Sequence, residues 1–463
     1  MATSVAEYIY HPRPWLGTAC QFLYTDVMHI FFSGIGGAGI GPLALIAKKA
    51  GYEVSGSDKQ DSHYISNLKK NGITNLYIGQ SEADIAKIHA EHPIDWLVYS
   101  SALPKENPNH PELKFAIENN IKHSKRDELL NEILNQKKLN LVAVAGTHGK
   151  TTTTAMVIWL FRQLNIPVSY SVGAKISFGD MGDYDPESEY FVYECDEFDR
   201  NFLSFEPYMS LITGVTWDHH EIYPTRSEYQ QAFSDFVGQS LQTVLWQEDF
   251  EYLGLTPSDS LLVQDSGLIK NKKYHIEIPG LYNRLDAWLA IIAVNKLTDA
   301  PVEKLINLID TFPGTSRRME QIAKNLYSDY AHTPEKIIGA MSVALEIAEK
   351  NHQKLVIVYE PLTNRRMHYM ADQHYGVFDG AAKIYWVPSY LAREDPSQHV
   401  LTPTELIKSL SPELQEIAKP MEFNDELEQT IKDHVGAGDM VVCLSGGGGA
   451  SLDEWLRSKL GKV

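Results

Sequence analysis

The stretch Leu141–Thr154, LVAVAGTHGKTTTT, constrains the architecture of this chain more than any other part of it. A buried strand runs straight into Gly146-Thr147-His148-Gly149-Lys150-Thr151 and then into a helix. Strand, glycine turn and helix in that order belong to a parallel α/β sheet. The glycines let the backbone curl so that several N–H groups point at one phosphate. The helix N-terminus adds a partial charge of about +0.5. Lys150 is then placed to reach the β- and γ-phosphates, and the Thr151 hydroxyl to ligate magnesium. The spacing departs from the common G-x-x-x-x-G-K-[ST] form, because Val144 stands where its first glycine would be. The bland alternative is a glycine turn before a helix, with the lysine on the surface.

Strands alternate with helices elsewhere too. Met28–Ser33 leads into glycines and a helix pattern over Leu43–Ala50, and further strands are expected at Tyr52–Ser55 and Asp95–Ser100. The basic, polar stretch Ser124–Lys138 reads as a helix and a linker. A second unit runs from Leu139 to about Asp310, and Phe312-Pro313-Gly314-Thr315-Ser316 resembles a hinge. A third unit has strands at Lys354–Tyr359, Lys383–Val387 and Met440–Leu444, the last followed by a turn at Gly446–Gly449. A length of 463 residues suits this division, at roughly 100–200 residues per domain. The net charge of −19 offers nucleic acid no basic face. Cys20, Cys195 and Cys443 have no metal spacing, which points to a reducing compartment. No apolar run reaches the roughly 18 residues of a membrane span. Residues 1–27 carry no secretory signal and form a leader of unknown role, unless Met28 is the natural start. A cytoplasmic protein is expected.

Two further clusters bear on chemistry. Ser33–Gly39 fits G-x-G-x-x-G at Gly34, Gly36 and Gly39, with Asp58 where a ribose-binding acid is expected. A dinucleotide, a nucleotide-diphosphate sugar, or no ligand at all would be compatible with that turn. In the middle unit, Phe191–Glu194 ends in an acid and continues as Cys195-Asp196-Glu197-Phe198-Asp199. Leu211–Val215 leads to Thr216-Trp217-Asp218-His219-His220. Both stretches close expected parallel strands, at the edge where open α/β sheets hold ligands. A carboxylate and an imidazole there can hold a second magnesium; the bland reading is a solvated acidic loop with a helix cap at Asp218. Cys195, with no base evident beside it, reads as a small buried residue, and Trp217 and Trp386 as core or pocket walls.

GTHGKTTTT, YECDEFDRNFL and DHHEIYPT resemble the central domain of the Mur ligases of peptidoglycan synthesis. SGIGGAGIG with Val54–Asp58 resembles the first domain of the branch that adds L-alanine to UDP-N-acetylmuramate. Gly314–Glu320 (GTSRRME), Asp329–Lys336 (DYAHTPEK) and Tyr390–Asp395 (YLARED) resemble the last domain. The resemblance implies a Rossmann-like UDP-binding domain over residues 28–137 and a central P-loop ATPase-like α/β domain over 138–311. A Rossmann-like amino-acid-binding domain would occupy 312–463.

The resemblance also implies site residues. Gly146, Thr147, His148, Gly149, Lys150, Thr151 and Thr152 would bind ATP phosphates, with Thr151 and Glu194 on one magnesium and His219 on the other. Asn283 would lie near the adenine, and Arg318 and Asp329 would reach the ATP across the hinge. His332 would stand near the substrates as a candidate base. Gly34, Gly36, Gly37, Gly39, Asp58 and Ser100 would surround the UDP-sugar, with Tyr390 and Arg393 toward the remaining substrate. Arg365 and Arg366 could meet the incoming carboxylate.

Several positions depart from the family pattern. Tyr282 and Asp286 replace a histidine and an asparagine in Gly280–Ala287, and Gly214 and Thr216 stand where two polar contacts would be. Phe233 occupies the place of a carbamylated lysine in ligases of later steps. The third domain is mixed: Glu360–Asn364 and Leu444–Gly447 look like a recycling branch that attaches a tripeptide to the same sugar.

The expected function is therefore ATP-dependent, ADP-forming amide ligation of L-alanine to UDP-N-acetylmuramate through an acyl phosphate, with ATP and Mg2+. The tripeptide-adding ligase, a non-catalytic UDP-sugar-binding relative and a nicotinamide oxidoreductase stand as alternatives. Closure is expected at hinges near Leu139 and Phe312. The partners are small molecules, neither nucleic acid nor membrane, and the chain a monomer or dimer.

Overall fold

The computed structural model describes residues 27–37, 39–100, 103–219, 222–391 and 394–460. The expected leader, apart from residue 27, therefore lies outside the described residues, as do Cys20 and Arg393. Three sheets follow one another along the chain. The first holds β1 (His29–Ser33), β2 (Glu53–Asp58), β3 (Leu76–Ile78), β4 (Trp96–Tyr99) and β5 (Lys122–Lys125), in spatial order β3-β2-β1-β4-β5. All its pairings are parallel. β1 is buried along its whole length, as its apolar run Ile30-Phe31-Phe32 requires of a strand covered on both faces. Because β2 and β4 flank β1, the chain changes direction in the sheet there, the point at which open α/β sheets place ligands.

The second sheet holds β6 (Asn140–Ala145), β7 (Ser169–Ser171), β8 (Gly182–Asp183), β9 (Tyr190–Glu194), β10 (Met209–Ile212), β11 (Gln242–Trp246) and β12 (Leu261–Gln264). Its order is β12-β11-β10-β6-β9-β7-β8, with only the β7–β8 pair antiparallel. β6 lies between β9 and β10. The carboxyl ends of these three strands therefore converge, and each carries one of the motifs singled out above. Helices Lys150–Gln163 and Leu281–Thr298 cover one face.

The third sheet holds β13 (Glu320–Ala323), β14 (Leu326–Asp329), β15 (Leu355–Glu360), β16 (Lys383–Trp386), β17 (Ala418–Pro420) and β18 (Met440–Ser445), in order β13-β14-β18-β15-β16-β17. Only β13 runs antiparallel to its neighbour. Separate apolar clusters fill its two faces. The α/β class and the doubly wound parallel sheets agree with the sequence expectation. Among the described residues no helix is long and apolar enough to cross a membrane.

Two expectations about the connections are corrected. Ser124–Lys138 contains no linker: it is the end of β5 followed by helix Arg126–Lys137, which enters β6 after one left-handed residue, Lys138 (φ 56°). Leu139, the expected hinge, is buried in an apolar cluster that runs from the first sheet into the second, alongside Ile133, Leu134, Leu141 and Phe205. Turning there would open shared core, so the first two domains are joined stiffly. Phe312 packs edge-on against Trp159 and Phe178. Ser316 N donates to Lys175 O at 3.0 Å, which straps the second connection to the middle domain.

Candidate active site

β6 delivers the phosphate loop. Gly146 (φ 145°) and Gly149 (φ 79°) take backbone angles that side chains rarely adopt, and helix Lys150–Gln163 starts directly after them. A Cβ on Gly149 would stand 2.5 Å from Asp286 Oδ1, so conformation and space both require glycine. The loop is braced from β10. Thr147 N donates to Gly214 O at 2.8 Å, Thr216 N donates to Thr147 Oγ1 at 2.9 Å, and Thr213 Oγ1 donates to His148 O. The departures Gly214 and Thr216 thus support the loop through main-chain groups.

Glu194, at the end of β9, accepts from Thr151 Oγ1 at 2.9 Å and from Gly173 N at 2.6 Å. Burial raises its pKa, and Gly173, Thr151, Lys150 and Arg318 draw it back. A hydroxyl and a carboxylate oxygen side by side next to a phosphate loop are hard donors that suit Mg2+. Thr151 and Glu194 have the chemistry to hold one magnesium between them.

His219 stands beside Glu197, with its Nε2 3.6 Å from Glu197 Oε1, and that neighbour raises the imidazole pKa. Glu197 is the residue that sequence reasoning missed. Its side chain is almost fully buried and takes the Lys150 ammonium at 2.7 and 3.0 Å. Lys150 Nζ also donates to Gly146 O at 2.5 Å. Burial would raise the Glu197 carboxyl, but His219 and Lys150 outweigh it and hold its pKa below the usual value. Burial likewise depresses Lys150, and Glu197 more than restores it. The lysine thus rests in an ion pair with a buried carboxylate. The available signal was a third acid within four residues of Glu194, in YECDE.

The third domain closes over this edge. Asp329, at the end of β14, accepts from Met319 N at 2.7 Å and Ala331 N at 2.8 Å. Its carboxylate organises the turn that presents Arg318, whose guanidinium lies over the Tyr330 ring at 5.5 Å. His332 is buried, and its Nδ1 lies 2.7 Å from Tyr330 O. Donation from Nδ1 to that carbonyl leaves Nε2 with the lone pair. Burial, then Lys336, Arg366 and Arg318, push its pKa down to about 3, outweighing the Tyr330 contact. His332 is therefore neutral and a weak proton acceptor, suited to take a hydrogen bond rather than strip an ammonium. Gly446 makes room for it, since a Cβ there would meet the imidazole at 2.6 Å.

The remaining expectations divide. Asn283 donates to Pro279 O at 2.9 Å in the first turn of helix Leu281–Thr298, beside the exposed Tyr282. Asp286 is buried behind the phosphate loop, where desolvation lifts its pKa to about 7 against the pull of Thr153 and Arg318. Thr152 lies in the first turn after the loop. Tyr390 packs on Gly447.

In the first domain, Gly34 N donates to Ser57 O at 2.9 Å, and Gly37 N to Gly34 O at 3.0 Å. Gly36 N donates to Asp58 Oδ2 at 2.9 Å. Asp58 thus braces the turn through one carboxylate oxygen. A Cβ on Gly39 would run into the Arg126 guanidinium, and Ser100 N donates to Ser33 O at 3.4 Å. Cys195 is fully buried with its thiol pKa raised well above normal by desolvation, an inert residue as expected. Trp386 is core. Phe233 is also fully buried, between Phe202 and Tyr229.

A phosphate loop on a central parallel sheet, with a hydroxyl–carboxylate pair beside it and flanking domains on both sides, defines a multidomain nucleotide-dependent enzyme. The model of the Mur ligase family catalytic domain matches residues 29–138, and that of the Mur ligase middle domain residues 144–253. The chain belongs to the Mur ligase family, whose members are ATP-dependent and usually use Mg2+. It is 27% identical to the UDP-N-acetylmuramate–L-alanine ligase of Rickettsia felis, over 93% of this chain and 96% of the relative. It is also 27% identical to that of Rickettsia bellii, over 94% and 97%. Among solved structures, the UDP-N-acetylmuramate–alanine ligase of Thermotoga maritima aligns with a TM-score of 0.73 at 24% identity, covering 94% of this chain and 98% of the other. A murein peptide ligase of Psychrobacter arcticus aligns at 0.60 with 21% identity, covering 94% and 99%. Both structures speak to the fold.

Proposed function

We propose that this protein joins L-alanine to the carboxylate of UDP-N-acetylmuramate in peptidoglycan synthesis, driven by ATP, in the cytoplasm. The observation that carries the reading is the convergence of Lys150, Thr151 and Glu194 at one sheet edge, with Arg318 held opposite them by the third domain. The near full-length likeness to L-alanine ligases chooses the substrates. Amide formation from a free carboxylate is uphill until its oxygen becomes part of a leaving group. The carboxylate attacks the γ-phosphorus, ADP departs, and the amine then displaces phosphate from the acyl phosphate. Both steps gather negative charge at the sheet edge, where Lys150 and Arg318 offset it; such terms are usually the largest in phosphoryl transfer. Magnesium held by Thr151 and Glu194 would neutralise part of the triphosphate charge. Lys150 leaves Glu197 to do its part, and His219 stays beside the carboxylate it vacates. His332 accepts a hydrogen bond from the amine through Nε2.

One coupled phosphate-release assay tests this, with UDP-N-acetylmuramate, ATP and a panel of amines. L-alanine is expected to support turnover. The third domain's Glu360-Pro361-Leu362-Thr363-Asn364 favours a second reading, tripeptide addition, and release with the tripeptide but not with L-alanine would establish it. No magnesium-dependent ATP binding, with or without the sugar, would remove both.

A further inference from the structure

Arg457, in the last helix (Leu452–Leu460), belongs to none of the motifs above. Its guanidinium joins two carboxylates. It donates through Nη1 and Nη2 to Glu320 at 3.1 and 2.7 Å, and through Nε to Asp453 Oδ2 at 3.1 Å. Both carboxylates also grip Arg317. Glu320 Oε2 accepts from Arg317 N at 2.7 Å and from the Ser316 hydroxyl at 2.9 Å. Asp453 Oδ2 lies 3.5 Å from Arg317 Nε, while Ser445 O accepts from Arg317 Nη2 at 2.5 Å. Burial would raise the Glu320 carboxyl, but Arg457 and the Arg317 amide hold its pKa below the usual value. The turn so held is strained. Arg317 (φ 56°) and Met319 (φ 46°) both take the left-handed conformation that side chains disfavour, and Arg318 lies between them. Such backbone persists only where its surroundings over-determine it. Here they do: the amides of residues 316 to 319 go in turn to Lys175 O, Glu320, Thr315 O and Asp329. Among the described residues no hydrogen bond or ion pair holds the Arg318 guanidinium itself, which rests over the Tyr330 ring. Its direction is therefore set by its main chain.

We propose that Arg457 is a positioning residue for Arg318: by clamping Glu320 and Asp453 it keeps Arg317 left-handed and so aims Arg318 at the transferring phosphoryl group. This rests on the ligase reading, which puts Arg318 beside ATP. A planar fork that meets two carboxylates at once suits a guanidinium better than an ammonium. Without Arg457, Glu320 loses the partner that orients it, and its grip on the Arg317 amide loosens. The turn then relaxes toward ordinary backbone. Arg318 keeps its charge and loses its place. The competing role for Arg457 is to fasten the last helix to β13, where Glu320 begins the strand. That role lowers stability without acting through Arg318.

The test is a double-substitution cycle on the full chain, with Arg457→Gln, Arg318→Ala and both together. Turnover is read by phosphate release at saturating substrates, and binding by titration with magnesium–ADP, with and without fluoroaluminate, a mimic of the group in flight. Arg318→Ala should lower kcat about 100-fold, the scale of losing one charge-stabilising donor. Arg457→Gln should lower it about tenfold, because the donor is misplaced rather than removed. In the Arg318→Ala background, Arg457→Gln should change kcat by less than about twofold, since the group it acts through is gone. The extra affinity given by fluoroaluminate should fall in Arg457→Gln and vanish in Arg318→Ala, while ADP alone binds as in the wild type. Arg457→Lys, which keeps the charge without the fork, should lie between the wild type and Arg457→Gln. It takes the place of Arg457→Gln in the cycle if that variant does not fold. Wild-type kcat in every folded Arg457 variant would overturn the proposal. So would an undiminished loss in the Arg318→Ala background, the mark of a structural role. So would unchanged turnover in Arg318→Ala, which would leave Arg457 nothing to act through. If the wild type binds ADP–fluoroaluminate but does not ligate, the ligase reading fails while the binding cycle still decides the place of Arg457.

Discussion

Two strand–glycine-turn–helix segments with similar composition do different work in this molecule. After β1, the amides of Gly34, Gly36 and Gly37 are all engaged within the turn or by Asp58. After β6, the turn ends in Lys150, and its braces from β10 take carbonyl oxygens and the Thr147 side chain and amide. The difference lies in the neighbouring strand ends. β2 brings an acid to the first turn, whereas β9 and β10 bring Glu194, Glu197 and main-chain groups to the second. The turns also share a feature, a buried acid behind each. Glu112 accepts from the Ser33 hydroxyl just before Gly34, and Asp286 stands behind Gly149. Burial lifts both to about 7. A glycine pattern therefore fixes a backbone shape, and the surrounding strand ends decide its chemistry.

Removing the lysine breaks the comparison most sharply. Lys150→Ala should lower turnover by at least about 10³-fold, because a charge opposite the transferring phosphoryl group is lost. Binding of UDP alone, measured by calorimetry, should not change. A loss of UDP affinity would show that the two turns act as one site.

The next effect is on stability. Asp286 ionises near 3.8 when unfolded but near 7 when folded. Between those values the folded chain binds more protons, so this group's contribution falls as pH rises from about 4 to about 7 and stays low above that. Asp286→Asn removes the titration. Its stability relative to wild type should grow with pH across that window, by up to about 4 kcal/mol, at 1.4 kcal/mol per pKa unit. Urea unfolding at several pH values reads it, and a pH-independent difference would mean that the carboxyl is not held protonated. Glu112 and Glu360, also lifted to about 7, leave a residual slope in both proteins.

The middle site was legible in the sequence because its shape is local. Gly146, Gly149, Lys150 and Thr151 are consecutive or nearly so, and a strand and a helix fix them. Glu194 was legible because it ends a strand. Glu197 was not, since its partners Lys150 and His219 are 47 and 22 residues away and meet it only through the β9-β6-β10 order. The burial of Leu139 in shared core was hidden for a related reason. Polarity over Ser124–Lys138 suggested a linker, but Ile133 and Leu134 place their helix in a core spanning two domains, and one-dimensional composition does not show which neighbour a face meets.

Magnesium sharpens the comparison further. Glu194→Gln keeps the shape but removes the charge that accepts from Thr151 and Gly173. The magnesium concentration for half-maximal phosphate release should rise on the order of 10²-fold. The corresponding change in the first turn, Asp58→Asn, should leave that concentration unchanged. A shift in both variants would place the metal between the domains.

The smallest effect separates two roles for Asp58. If its carboxylate holds the ribose, as in a dinucleotide site, both Asp58→Asn and Asp58→Ala weaken UDP-sugar binding. In the structure it accepts from Gly36 N at 2.9 Å and carries a negative charge into the turn that would receive a diphosphate. Asparagine can keep that acceptor while removing the repulsion. Asp58→Asn should therefore tighten UDP-sugar binding a few-fold, and the gain should shrink at high salt. Asp58→Ala strands the Gly36 amide, whose charge-assisted bond is of order 1.5–3 kcal/mol, and should loosen binding about tenfold. Opposite signs for the two substitutions establish the brace, and losses in both restore the ribose contact.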